Sequence, residues 1–135
     1  MKAICRARQL NEQQRGDLEA SRLMNPEFQI TPGREYLVLG LQFVTRSDIY
    51  GTSVLFEIED DAGRCVSTPS LLFEITNAAV SKWWLARQND GWFKLWPEEF
   101  YADYFHDDLS EGVAACVKNF QGVKRRLEIE AAEDT

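Results

Sequence analysis

PGREYLVLGLQFVTRSDIYGTSVLFEIEDDAGRCVSTPSLLFEI, residues 32–75, is the stretch around which the chain is organised. Three runs rich in Val, Leu, Ile, Phe and Tyr, Glu35 to Val44, Ser53 to Ile58 and Leu71 to Ile75, are separated by clusters of Gly, Pro, Asp and Ser. Successive antiparallel strands are written this way. Pro32-Gly33 opens the stretch as a turn, because proline presets φ at the second position and glycine takes the positive φ that follows. In Tyr36 to Leu41 apolar residues occupy both parities, which predicts a strand covered on both faces or bent at Gly40. Glu59 to Gly63 predicts a tight hairpin with a charged tip.

Outward on the amino-terminal side, residues 1–30 predict a short strand over KAICRAR (2–8) and a helix mainly over Gly16 to Leu23, ended by Asn25-Pro26. On the carboxy-terminal side all four tryptophans lie between Trp83 and Trp96. Asn89-Asp90-Gly91 between Ser81–Gln88 and Trp92–Trp96 predicts a hairpin over 80–96, with a three-residue loop and Gly91 in the left-handed region. That register puts Trp83, Leu85, Phe93 and Leu95 on the core face and Trp84, Trp92 and Trp96 on the outer one, and a slip of one residue would exchange them. Residues 97–121 predict two helices, one started by Pro97, Glu98 and Glu99, and one with Asp108 and Glu111 at capping-box spacing and Gly122 as its cap. Val123, Arg125, Leu127 and Ile129 alternate with charged residues and predict a final strand over 123–130, before a frayed tail, AAEDT.

Gly33, Tyr36, Val38 and Gly40 (GxxYxVxG), the acidic hairpin Asp60-Asp61-Ala62-Gly63, and Pro69, Leu72, Phe73, Glu74 and Ile75 (PxxLFEI) resemble the SH3-like small barrels. The resemblance implies a 3₁₀ turn after Pro69, then a closing strand. It brings no acidic, tyrosine-bearing first loop of the signalling type, so binding of proline-rich peptides does not follow. The expected fold class is α+β: an SH3-like barrel or bent sheet over 32–75, with the tryptophan hairpin and C-terminal helices packed against it.

The 135 residues suit a single domain with one core, and 44% hydrophobic and 27% charged residues are those of an ordinary globular chain. No apolar run approaches the roughly 20 residues needed to cross a bilayer, and MKAICRARQLNEQQ turns polar too early for a signal peptide, so a cytoplasmic location is expected. Cys5, Cys65 and Cys116 match no metal or redox spacing, and neither metal nor cofactor is expected. A net charge of −7 disfavours nucleic acid and anionic membranes as partners and favours a basic protein.

Residues 97–111 hold six carboxylates, Glu98, Glu99, Asp103, Asp107, Asp108 and Glu111, without a Lys or Arg. Trp84, Trp92 and Trp96 with Glu98, Glu99, Asp103, Asp107 and Asp108 form a candidate partner-binding surface, in which aromatics anchor and carboxylates steer. The competing reading places the aromatics in the core and the carboxylates on a solvated helix face. His106 is the only histidine and has no recognisable nucleophile motif, and the pairs Glu98/Glu99 and Asp107/Asp108 have a sufficient reason at helix starts, so no enzyme is expected. The function that ranks first is an acidic inhibitor of the immunity type that neutralises a basic toxin or nuclease. An SH3-like adaptor or regulatory subunit comes second and a carboxylate-based hydrolase third.

Overall fold

A computed structural model of the chain describes residues 1–133. Its order is β1 (Lys2–Cys5), α1 (Glu12–Leu18), β2 (Glu35–Leu37), β3 (Gly40–Ser47), β4 (Gly51–Glu59), β5 (Cys65–Pro69), a 3₁₀ turn (Ser70–Leu72), β6 (Phe73–Asn77), β7 (Trp84–Gln88), β8 (Trp92–Pro97), a second 3₁₀ turn (Glu98–Tyr101), α2 (Phe105–Ser110) and α3 (Ala114–Glu133). The strands form two open antiparallel sheets, one of three strands in the order β2-β1-β6 and one of five in the order β5-β4-β3-β8-β7.

The mixed parity of Tyr36 to Leu41 has a direct structural meaning. The run does not stay in one strand: it pairs with β1 up to Leu37, turns at Val38-Leu39, and enters the larger sheet at Gly40. Tyr36, Val38 and Leu41 face one core while Leu39 faces another, so an apolar residue is needed at nearly every position. A Cβ on Gly40 would sit 2.7 Å from Trp96 Cδ1, so only glycine lets that indole lie against the strand. The Pro32-Gly33 turn forms as its residues dictate, with Gly33 at φ +90° and the Arg34 N–H donating to the Thr31 carbonyl at 3.0 Å.

The larger sheet is covered on both sides. Leu41, Phe56, Leu95 and Trp84 share one face, as their pairings require, and pack with the three-stranded sheet and with Met1, Ala3, Cys5, Ile30 and Leu72. On the opposite face Trp96 packs with Phe100, Phe105, Cys116, Phe120, Val123 and Leu127 of the helical layer.

Four expectations are corrected. The helix expected over Gly16 to Leu23 is α1, which begins earlier because Asn11 and Gln14 form a reciprocal capping box (2.8 and 2.9 Å). The strand expected over 123–130 is instead the second half of α3. Cys116, Phe120, Val123, Leu127 and Ala131 recur every three or four residues and are all buried, and Ile129 is exposed, so a helical period outcompetes the two-residue one. Gly122 therefore lies inside a helix, and of the expected frayed tail Ala131 to Glu133 is helical while residues 134–135 lie outside the described ones. The helix expected from Pro97 to about Phe105 is a single 3₁₀ turn, after which Ala102 is extended and Tyr104 left-handed.

The fourth correction is the hairpin register. Asn89 Oδ1 accepts from the N–H groups of Gly91 (2.9 Å) and Trp92 (3.2 Å), and the Asn89 N–H donates to the Trp92 carbonyl (3.0 Å). This closes a loop one residue shorter than expected, and Gly91 is not among the residues at positive φ. Gln88 then pairs with Phe93 and Leu85 with Trp96, so every side chain of β7 changes face relative to the sequence expectation. Trp84 becomes buried (7% exposed), whereas Trp83 and Leu85 are exposed (39% and 45%).

Candidate functional site

Phe100 and Phe105 fix the acidic segment to the body of the protein. Their rings stack at 4.9 Å within the core beneath the helical layer, with Trp96 and Phe120 around them. Between these two anchors the chain must bulge outward, and Tyr104 makes the turn at φ 61°, ψ 19°, a left-handed conformation that costs a non-glycine residue about 1 kcal/mol or more. The result is an aromatic side chain that is 76% exposed. Glu98, Asp103, Asp107 and Glu111 are exposed, and Asp108 is half-buried in the first turn of α2. The Asp108 N–H donates to the Tyr104 carbonyl at 2.8 Å, so Tyr104 caps the helical turn that carries Asp107 and Asp108.

Glu99 is the exception among these acids. The Arg126 guanidinium donates to both its oxygens, at 2.9 and 3.1 Å. Burial pushes its carboxyl upward, but the Arg126 hydrogen bonds and charge outweigh that and hold it below the ordinary range. This pair ties the 3₁₀ turn to α3 and leaves Glu99 little charge to offer a partner.

The tryptophans do not form the expected outer face. Trp84 and Trp96 are buried on opposite faces of the larger sheet, and the Trp84 Nε1–H donates to the Leu39 carbonyl at 2.8 Å. Trp92 is half-buried under the Lys94 ammonium, which lies 4.2 Å from its ring and 4.1 Å from that of Trp96. Burial lowers the Lys94 pKa, and the charge of Glu57 opposes that shift. At the acidic hairpin tip Asp61 to Arg64 are exposed, while Asp60 is buried and accepts from the N–H groups of Ala62 and Arg64. Asp61 accepts from Thr31, Arg34 and Tyr36, each at 2.6 Å.

A second constellation comes from residues distant in the chain. Glu57 on β4, Cys65 on β5 and His106 on α2 bring a carboxylate oxygen, a thiol sulfur and a ring nitrogen within 4.8 Å of one another. Glu57 is 2% exposed in the middle of an apolar strand, and His106 Nε2 lies 3.4 Å from Glu57 Oε1. The contact is poorly aligned, so Glu57 Oε2 and His106 Nε2 are both buried without a hydrogen-bond partner. Burial, then the charges of Glu57, Glu59 and Asp60, push the Cys65 thiol far above its ordinary range, so by itself it is no ready thiolate nucleophile.

The molecule is thus an α+β protein with two open antiparallel sheets and a helical layer. No family model, curated protein or solved structure matches the chain. Among the described residues no helix is long and apolar enough to cross a membrane. Sequence reasoning passed over two site residues. Tyr104 looked like one more aromatic on a helix, because nothing local marks a left-handed tyrosine. Glu57 carried a signal, a carboxylate inside Val54-Leu55-Phe56-Glu57-Ile58, where an unpaired charge is costly.

Proposed function

We propose that this chain is a non-enzymatic protein-binding protein of the immunity type, an acidic cytoplasmic inhibitor that neutralises a basic toxin or nuclease. The observation that carries the reading is Tyr104, a 76% exposed aromatic held in a left-handed conformation that follows Asp103 and caps the helical turn bearing Asp107 and Asp108. The docking of Phe100 and Phe105 in the core forces the chain outward at Tyr104 and so presents its ring, and an aromatic anchor with few rotamers, flanked in the chain by carboxylates, suits a basic surface. Tyr104 thus takes the anchoring role, with Glu98, Asp103, Asp107 and Asp108 steering; Trp92 is half-buried, Trp96 supports the segment from within, and Trp84, in the other core, takes no part.

The test is affinity capture from native lysate, followed by binding kinetics on the captured protein. A basic partner is expected, with association that slows as salt rises and slows further in Asp103→Lys and Asp107→Lys. Tyr104→Gly, which relieves the strain, should keep the fold and speed dissociation. An acidic partner, or kinetics that none of these substitutions alters, would sink the proposal.

A second reading, an SH3-like adaptor, draws on the opposite side of the molecule. There an apolar trough is lined by Phe43, Val54 and Leu71 and continues past Leu41, Phe73 and Ile75, with Phe43, Leu71 and Ile75 exposed. Under that reading Phe43→Ser and Leu71→Ser abolish binding and the acidic substitutions do not.

A further inference from the structure

We propose that Glu57, Cys65 and His106 form a zinc site that ties α2 to the larger sheet. Their donor atoms lie within 4.8 Å of one another. One nitrogen, one sulfur and one carboxylate oxygen make a donor set suited to Zn²⁺, whose tetrahedral sphere takes bonds of about 2.0 to 2.3 Å to such atoms.

The second observation is the unsatisfied pair. Glu57 is 2% exposed, its Oε2 has no hydrogen-bond partner, and His106 Nε2 faces the same carboxylate at 3.4 Å without one. A buried carboxylate without partners costs several kcal/mol, and such groups pair or coordinate metals. The neighbouring acids have other partners: Glu59 accepts from Lys124 Nζ (2.9 Å), and Asp60 accepts from backbone N–H groups. Lys94, the cation whose field reaches Glu57, is held between Trp92 and Trp96. A divalent ion between the three donors would satisfy both orphaned atoms and offset the negative surroundings of Cys65.

Three protein ligands leave one position of a tetrahedron free. Cys65 and His106 both line a cleft that also includes Arg64, Leu109, Val117 and Gln121, so a water or a small anion reaches that position from solvent. The ligands come from β4, β5 and α2, so the ion would clamp the helical layer to the sheet. The site stands independent of the partner-binding reading.

The experiment titrates the full-length, metal-stripped protein with Zn²⁺ and, separately, with Co²⁺ as a spectroscopic probe. The expected result is one equivalent of zinc and, with cobalt, visible bands of a tetrahedral ion plus a thiolate-to-cobalt charge-transfer band. Cys65→Ser should abolish that band while Cys5→Ser and Cys116→Ser keep it. His106→Ala and the near-isosteric Glu57→Gln should each weaken zinc by more than about 100-fold, beyond what loss of an outer-sphere partner costs. Absence of stoichiometric zinc, absence of the thiolate band in the wild-type protein, or affinity unchanged in Cys65→Ser would overturn the site. The wild-type spectrum decides if the substituted proteins fail to fold.

Discussion

Trp83, in the turn before β7, and Trp84, the first residue of that strand, are adjacent and chemically identical but differently buried, so truncating each in turn tests the hairpin register. Trp84 is 7% exposed, packs with the core between the two sheets, and spends its indole N–H on the Leu39 carbonyl. Removing a side chain of that size from a core costs about 3–5 kcal/mol, and the lost hydrogen bond lies within that range. Trp83 is 39% exposed and mainly covers Arg126, whose guanidinium lies 4.6 Å from its ring. Solvent fills the space it would leave, and a cation–π contact of this kind is worth about 0.5–1 kcal/mol, so Trp83→Ala should cost about 1–2 kcal/mol. With a urea m-value of about 2 kcal/mol/M, the midpoint should fall by about 2 M for Trp84→Ala and by less than about 1 M for Trp83→Ala. Circular dichroism and tryptophan fluorescence during urea unfolding give both values, and Trp84→Phe offers a milder cut if the alanine variant does not fold. A larger loss for Trp83→Ala would refute the Asn89-closed loop and restore the register expected from sequence.

Two further outcomes are expected. Gly122 lies inside α3, where a Cβ would meet nothing within 4 Å, so Gly122→Ala should raise stability by about 0.5–1 kcal/mol in the same melts, whereas a cap at this position would make the change neutral or harmful. Hydrogen bonds from Thr31 and then Tyr36, with the Arg34 charge, hold the Asp61 carboxyl below its ordinary value of 3.8, so its stabilisation is fully present above that pH and is lost as pH falls through the lowered value. Stability below about pH 4 should therefore fall more steeply in the wild-type protein than in Asp61→Asn, and parallel acid melts would remove Asp61 from the account.

The amino-acid sequence determined by itself whatever rests on local chemistry. Turn residues and β-rich runs placed the strands of 32–75, because Pro32-Gly33 and the clusters between runs act within a few residues of themselves. Composition and periodicity were enough for a mixed α+β chain with antiparallel strands. The acidic character of 97–111 was plain from its residues. Tertiary structure decided what depends on partners distant in the chain. The alternation at 123–130 suits a strand in isolation, but the core around Phe100 rewards the helical spacing of Cys116, Phe120, Val123 and Leu127 instead. The hairpin register is the exception, local yet not marked by residue spacing: two hydrogen bonds to the Asn89 side chain closed the loop one residue shorter and moved every residue of β7 to the other face. Tyr104 became prominent only because Phe100 and Phe105 were both drawn into the core, which forced the chain between them outward. Glu57, Cys65 and His106 have no common spacing that a sequence could show; strand pairing and the docking of α2 bring them together, and burial is what turns an ordinary carboxylate into one that needs a partner.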